Sequence, residues 1–302
     1  MNLRDKIRYQ YSLAGMTEKL IVINVAVFLF FILLRVIGFL FQADGVLGKL
    51  SEWLVLPRQL SVFVYRPWTI ITYAFMHAGF WHIASNMIIL YFSGRFFLTF
   101  FSPKRLLNYY LLGAIAGGLF FLLSYNLFPV FADGYNYTLV GASASVMAVL
   151  IGVATFSPNM MIRLFFFNVK LWWIAAFFVV KDLMMIPIDN PGGHIAHLGG
   201  AALGFVYTTQ LRKGVDIGAW FDNVIYFFEE LFSTKKKSPF KKVYKNKKKP
   251  SGRRGPYQPR HQAQSESEKQ KKIDEILDKI SKNGYDSLNK EEKDFLFNAG
   301  KD

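Results

Sequence analysis

Six stretches of this chain, at roughly 19–40, 81–101, 104–125, 141–157, 170–187 and 194–212, are apolar over all or most of the length needed to cross a bilayer. A spanning helix takes about 20 mostly apolar residues, and in lipid only helices or closed barrels satisfy their own backbone polar groups. The last three stretches are short and mix Gly and Ser into the apolar run. That composition suits close packing inside a bundle better than contact with lipid. The expected fold class is therefore all-α: a polytopic membrane protein with a six-transmembrane-helix bundle and a small helical cytoplasmic tail.

Composition agrees. The chain has 302 residues, 52% apolar, with thirty-one Phe, more than a soluble domain of this size hides easily. Charge is uneven: Lys235 to Arg260 holds twelve Lys or Arg and no Asp or Glu. This predicts an N-terminal cytoplasmic segment at 1–18, a membrane domain at 19–213, a basic and largely disordered linker at 214–264, and a short two-helix element at 265–302. The first apolar stretch is too long for a signal-peptide core and reads as a retained helix. With no cysteine in the chain, thiol catalysis, disulfides and thiolate metal sites are excluded.

Lys and Arg mark the cytoplasmic side. Arg4, Lys6, Arg8 and Lys19 precede or begin the first span, Lys104 and Arg105 lie between the second and third, and Arg163 and Lys170 between the fourth and fifth. Arg212 and Lys213 follow the sixth. Both termini are expected inside. Spans two, four and six then start in the outer leaflet, and His77, His82, Asn86, Ser143, His194 and His197 all lie at or near those starts.

A serine hydroxyl needs a base within hydrogen-bond reach to act as a nucleophile. Ser143 and His197 have matching depths and small neighbours, with Gly200 and Gly204 spaced so that a partner backbone can approach. His82 and Asn86, spaced i,i+4, share a helix face and can donate to an oxyanion. Amides at the start of the fourth span can do the same. Each residue alone has a plainer role: Ser143 bonding its own helix, a histidine at the interface, His82 and Asn86 tying helices together. The four histidines could instead be metal ligands, but no carboxylate or HExxH helix accompanies them, and no metal or cofactor is expected. Asp182 is the best intramembrane carboxylate, yet Lys181 is adjacent, and the reading favours a Ser–His dyad without it.

Over roughly residues 15–213 the chain resembles the rhomboid intramembrane serine proteases. His77-x4-His82-x3-Asn86 looks like the family's His/Asn motif, Gly141-x-Ser143 like its nucleophile motif, and Gly192-x3-Ala196-His197-x2-Gly200-x3-Gly204 like its sixth-helix motif. The resemblance implies Ser143 as nucleophile and His197 as base. It also implies an oxyanion hole from His82, Asn86 and the Ser143 backbone, with His77 in support and Gly192, Gly200 and Gly204 packing the helix. It selects His197 over His194, since only His197 fits the glycine pattern. Three departures stand out. Ala144 follows the serine where Gly is frequent, adding a methyl beside the anion site. Met147 stands where an aromatic ring often stacks on the base. The first-loop Trp-Arg pair is replaced by Arg66-Pro67-Trp68-Thr69.

The resemblance implies substrates that are single-pass transmembrane proteins, cut near the outer face and entering beside the fifth span. The loop at 126–140 offers a route for water. The basic linker is expected to meet anionic lipid, at about 1 kcal/mol per basic residue near the surface, rather than nucleic acid. Ser267 to Gln270 and Asn289 to Glu292 resemble helix-start capping boxes in the last element, a docking module of unknown partner. This extension is similar to those of rhomboids from Bacteroidetes-type bacteria, which implies a bacterial inner membrane. The rival expectations are a catalytically weak or inactive rhomboid-like binder of membrane helices and, from a different class, a transporter, for which no internal inverted repeat is evident.

Overall fold

The computed structural model describes residues 2–132, 137–164, 166–232 and 262–299. The chain divides into two compact units, Met1–Thr234 and Lys235–Asp302. In the first, α1 (Leu3–Leu13) precedes α2 (Met16–Leu40). The long first loop then carries α3 (Asp44–Glu52), strand β1 (Leu56–Pro57), α4 (Leu60–Phe63) and α5 (Thr69–Thr72). Next come α6 (Phe80–Phe100), α7 (Pro103–Leu127), β2 (Thr138–Leu139), α8 (Ser143–Phe156), the hairpin strands β3 (Met161–Leu164) and β4 (Phe167–Lys170), α9 (Leu171–Met185), α10 (Pro191–Arg212) and α11 (Ala219–Phe232).

Helices α2, α6, α7, α8, α9 and α10 coincide with the six apolar stretches. Among the described residues, only α2, α6 and α7 are long and apolar enough to cross a membrane by length and composition alone. The short α8 is the middle of the bundle. Every residue from Ala144 to Ala154 is buried, and α6, α7, α9 and α10 surround it. In contrast α2 shows Leu29, Phe30, Leu33, Phe39 and Leu40 on its outside. An apolar face of that extent belongs in lipid. The chain is a polytopic all-α membrane bundle.

Local chemistry explains the helix ends. Ser102 caps α7, its hydroxyl accepting from the Arg105 amide at 3.3 Å, with Pro103 in the first turn. Asn190 caps α10 from a left-handed backbone conformation, its side chain accepting from the Gly193 amide at 3.3 Å, again with Pro next. That cap starts α10 at Pro191, one turn earlier than the apolar run predicts. Between helices, polar side chains pair across the core: Asn24 Nδ2 donates to Tyr110 Oη at 2.9 Å, and Thr208 Oγ1 donates to the Gly152 carbonyl at 3.0 Å. In the dry interior such bonds hold helices in register.

Two expectations need correction. The stretch read as linker from 214 contains α11, whose Phe221 is buried against the bundle. Asp222 ties it to α7, accepting from Asn108 Nδ2 at 2.7 Å and pairing with Lys104 at 3.0 Å. Residues 233–261 of that linker lie outside the described residues, and its last three, 262–264, are helical. In the second unit α12 (Gln262–Asn283) leads to α13 (Lys290–Ala299). Ser267 is therefore inside α12 rather than at its start, because the helix formers before it carry the helix back to Gln262. At α13 the box is present: Asn289 N donates to Glu292 Oε2 at 2.9 Å and Glu292 N donates to Asn289 Oδ1 at 2.8 Å.

Candidate active site

Three helix starts and one helix end meet at this site. Ser143 is the first residue of α8. Before it, Gly141 adopts φ +120°, a conformation that residues with a side chain rarely take, and its amide donates to the Tyr73 carbonyl at 3.0 Å. The first α8 amide to find a helical acceptor is that of Val146, on the Ala142 carbonyl at 2.9 Å. The amides of the first turn precede it and have no acceptor within their own helix. Further pairing fixes this loop: β2 runs antiparallel to β1 with Leu56 opposite Leu139, anchoring the segment that leads to Ser143 onto the first loop.

His197 lies nearly two turns into α10. Its Nε2 is 2.7 Å from Ser143 Oγ. The approach is possible because Gly200 and Gly204 carry no side chain: a Cβ at Gly200 would collide with the Ala144 carbonyl oxygen, and one at Gly204 with that of Ala148. Gly192 plays the same part against α7, where a Cβ would come within 2.7 Å of Phe121 and Tyr125. The Ala144 methyl, read from sequence as extra bulk beside the anion site, is directed at Gly117 of α7, where only glycine leaves room. Met147 is buried in the core.

His82 borders the nucleophile loop. A Cβ at Gly141 would lie 2.6 Å from His82 Nε2 and 3.6 Å from Ser143 Oγ. Asn86 is buried one turn further along α6, and its Nδ2 donates to the His82 carbonyl at 2.8 Å. One amide hydrogen is thus committed to its own helix and the other remains. His77 Nε2 accepts from the Ala142 amide at 3.5 Å. Burial, and next the neighbouring His82 ring, hold the His77 ring down to about 4, so near neutral pH it is uncharged and free to accept.

The sequence reading did not foresee the surroundings of His197 Nδ1. That atom is 3.1 Å from Asp182 Oδ1, and the same oxygen is 2.8 Å from His194 Nδ1. His194 Nε2 in turn lies 3.2 Å from Asp189 Oδ1. The signal was present in the spacing. Asp182 lies three residues before the end of α9 and His194 three residues after the start of α10, so the short turn between the helices sets them level. One ligand atom each from Asp182, His194 and His197 lie within 4.8 Å of one another, a spacing that would suit a metal ion. The short direct bonds already use those atoms as donors and acceptor.

A rhomboid domain model matches residues 65–214, which contain every residue of the site. The chain belongs to the rhomboid family. It is 34% identical over 157 residues to "RHOMBOID-like protein 12, mitochondrial" of Arabidopsis thaliana, covering 48% of this chain and 47% of that protein. It is 30% identical over 151 residues to "Rhomboid protein 1, mitochondrial" of Saccharomyces cerevisiae, covering 49% and 43%. The "Rhomboid-like protein 16, chloroplastic" of Arabidopsis thaliana is 38% identical over 92 residues, 30% of this chain and 29% of that protein. This rhomboid chain spans about half or less of the length of the curated relatives it matches. Its residues 263–298, covering most of α12 and α13, match a family of unknown function, DUF6576. Rhomboids are generally intramembrane serine proteases.

Proposed function

We propose that this rhomboid is an active intramembrane serine endopeptidase, with Ser143 as nucleophile and His197 as general base. The observation that carries this reading is the 2.7 Å contact between Ser143 Oγ and His197 Nε2, made between two helices within a membrane bundle. In the reaction Ser143 Oγ bonds to the scissile carbonyl carbon while its proton passes to His197 Nε2. The carbonyl π pair moves onto oxygen. Amides at the start of α8, together with His82 and the second Asn86 N–H, are the donors at hand for that oxyanion. His197 then gives the proton to the leaving amine, and water releases the acyl group by the reverse roles.

The substrates on this reading are single-pass transmembrane proteins. Cleavage falls near the outer face, with both termini of this chain in the cytoplasm of a bacterium. The positive residues flanking α2, α7 and α10 support that orientation. Anionic lipid is the proposed neighbour of the basic segment after α11.

The test uses the full chain reconstituted in vesicles with a fluorogenic transmembrane substrate. Ser143→Ala and His197→Ala should each lower cleavage by roughly 10³-fold or more. A fluorophosphonate should label wild type and leave Ser143→Ala unlabelled. Cleavage that persists in Ser143→Ala would refute the mechanism. A folded wild type that neither cleaves nor labels would make this an inactive binder of membrane helices.

A further inference from the structure

We infer that Asp182 is a positioning residue for His197, and that His194 fixes Asp182 in turn. Asp189, His194, Asp182, His197 and Ser143 then form one hydrogen-bonded line from an exposed carboxylate to the nucleophile. This rests on the serine–histidine reading above and adds a third and a fourth participant to it.

The argument starts from burial. The Asp182 side chain is 1% exposed. A carboxylate taken out of water costs several kcal/mol unless donors replace its hydration. Three donors reach its Oδ1: His194 Nδ1 at 2.8 Å, His197 Nδ1 at 3.1 Å and Lys181 Nζ at 3.3 Å. The lysine side chain is 42% exposed, so its ammonium reaches the carboxylate from the outer face of α9. The two imidazoles are the partners on the buried side.

For His197 the arrangement decides which nitrogen carries the proton. With Nδ1–H donating to Asp182, Nε2 keeps its lone pair toward Ser143 Oγ–H, as a general base requires. An imidazole lacking that acceptor can take the other tautomer, whose Nε2–H cannot accept from serine. Asp182 also lies beside the positive charge that forms when Nε2 takes the serine proton. In that step the proton moves from Ser143 Oγ to His197 Nε2, the Nδ1 proton stays on the ring, and Asp182 takes none.

His194 lies one turn before His197 on the same face of α10, with the two rings edge to face at 5.7 Å between centroids. It holds Asp182 through Nδ1, and its Nε2 faces Asp189, whose side chain is 63% exposed. Doubly protonated, the ring donates to both carboxylates; singly protonated, it serves one. His194 therefore keeps the carboxylate from turning away from His197 and links it to water.

The experiment measures kcat and KM of the reconstituted full chain for Asp182→Asn, Asp182→Glu and His194→Gln, alongside Ser143→Ala. It also records the imidazole N–H proton signals by NMR. Asp182→Asn should lower kcat by roughly 10²- to 10⁴-fold and leave KM within about twofold. Asp182→Glu should recover part of that loss. For His194→Gln, whose amide still donates to Asp182, the loss should be about tenfold. Wild type and Ser143→Ala should show two downfield Nδ1–H resonances, one from each imidazole on Asp182. The His197 resonance, identified by its loss in His197→Ala, should also be absent from Asp182→Asn. Wild-type kcat in Asp182→Asn, with Ser143→Ala inactive, overturns the role of Asp182 and leaves the nucleophile standing. Cleavage by Ser143→Ala sinks the serine reading instead, and the His197 resonance then decides the Asp182–His197 bond by itself: its absence from wild type overturns the proposal. If Asp182→Asn loses its thermal unfolding transition, Asp182→Glu and His194→Gln take its place. Full activity in both is then the overturning result.

Discussion

Gly200 of α10 lies against the carbonyl oxygen of Ala144, the residue that follows Ser143 on α8. The contact sits one helical turn from His197, so helix packing and the Ser143–His197 distance are set together. Gly200→Ala puts a methyl where backbone already stands, and neither helix can yield without moving a member of the pair. We expect a loss of about 1–3 kcal/mol in unfolding free energy and a larger proportional loss of cleavage. Gly48→Ala, with open space around the glycine, is the control and should cost nothing. Thermal unfolding in detergent with parallel activity assays measures both. Equal behaviour of the two variants would contradict the packing argument.

Gly141→Ala tests the loop. The φ of +120° is strained for alanine, and its Cβ would press on His82 Nε2. The strain should cost about 1–3 kcal/mol. Cleavage should fall by roughly 10- to 100-fold, because the displaced groups border the anion site. An unaffected rate in a folded variant would show that the loop geometry is dispensable.

His77 predicts a pH dependence of stability. Its ring, held down to about 4 by burial and then by His82, is neutral in the fold, while an unperturbed histidine takes its proton near 6.5. The unfolded chain therefore binds the proton first. The contribution is fully present above about pH 6.5 and is lost as pH falls toward 4. The apparent melting temperature should drop over that window, and His77→Gln, which can still accept from Ala142, should drop less. Superimposable melting curves for the two proteins across the window would rule the assignment out.

Asp216 should matter more than its salt bridge. It pairs with Arg105 at 3.3 Å, but it also accepts from the buried Tyr207 hydroxyl at 2.7 Å and the Gly218 amide at 3.1 Å. Arg105→Ala removes a half-exposed ion pair and should cost about 0–1 kcal/mol. Asp216→Ala strands the tyrosine hydroxyl and should cost about 1–3 kcal/mol. Chemical unfolding of the two variants gives the comparison, and the reverse order would contradict it.

Much of the bundle was legible because lipid makes apolar length a direct measure of a span. The pattern of Gly192, Gly200 and Gly204 was legible for a related reason: only close backbone contact calls for it. The partnership of Asp182 with His197 was not. Its meaning depends on a turn that sets α9 and α10 level, and the adjacent Lys181 made the carboxylate look already neutralised. The helix α11 was lost inside a stretch judged by the basic composition that follows it, although Trp220, Phe221, Val224 and Ile225 recur at helical spacing. Nor could the β1–β2 pairing be read, because two residues of strand carry no periodicity.

That small pairing has a mechanical side. Leu56 and Pro57 belong to a loop built around the stacked rings of Trp53 and Trp68, with the Arg66 guanidinium 4.3 Å over Trp53. Leu139, the residue opposite Leu56, is four positions from Ser143. A sideways load on the first loop, from a thinner bilayer or a bound antibody, is thus delivered through two rungs of hydrogen-bonded backbone to the peptide that carries the serine hydroxyl. A surface loop far upstream of the serine in sequence thus has a short lever on it.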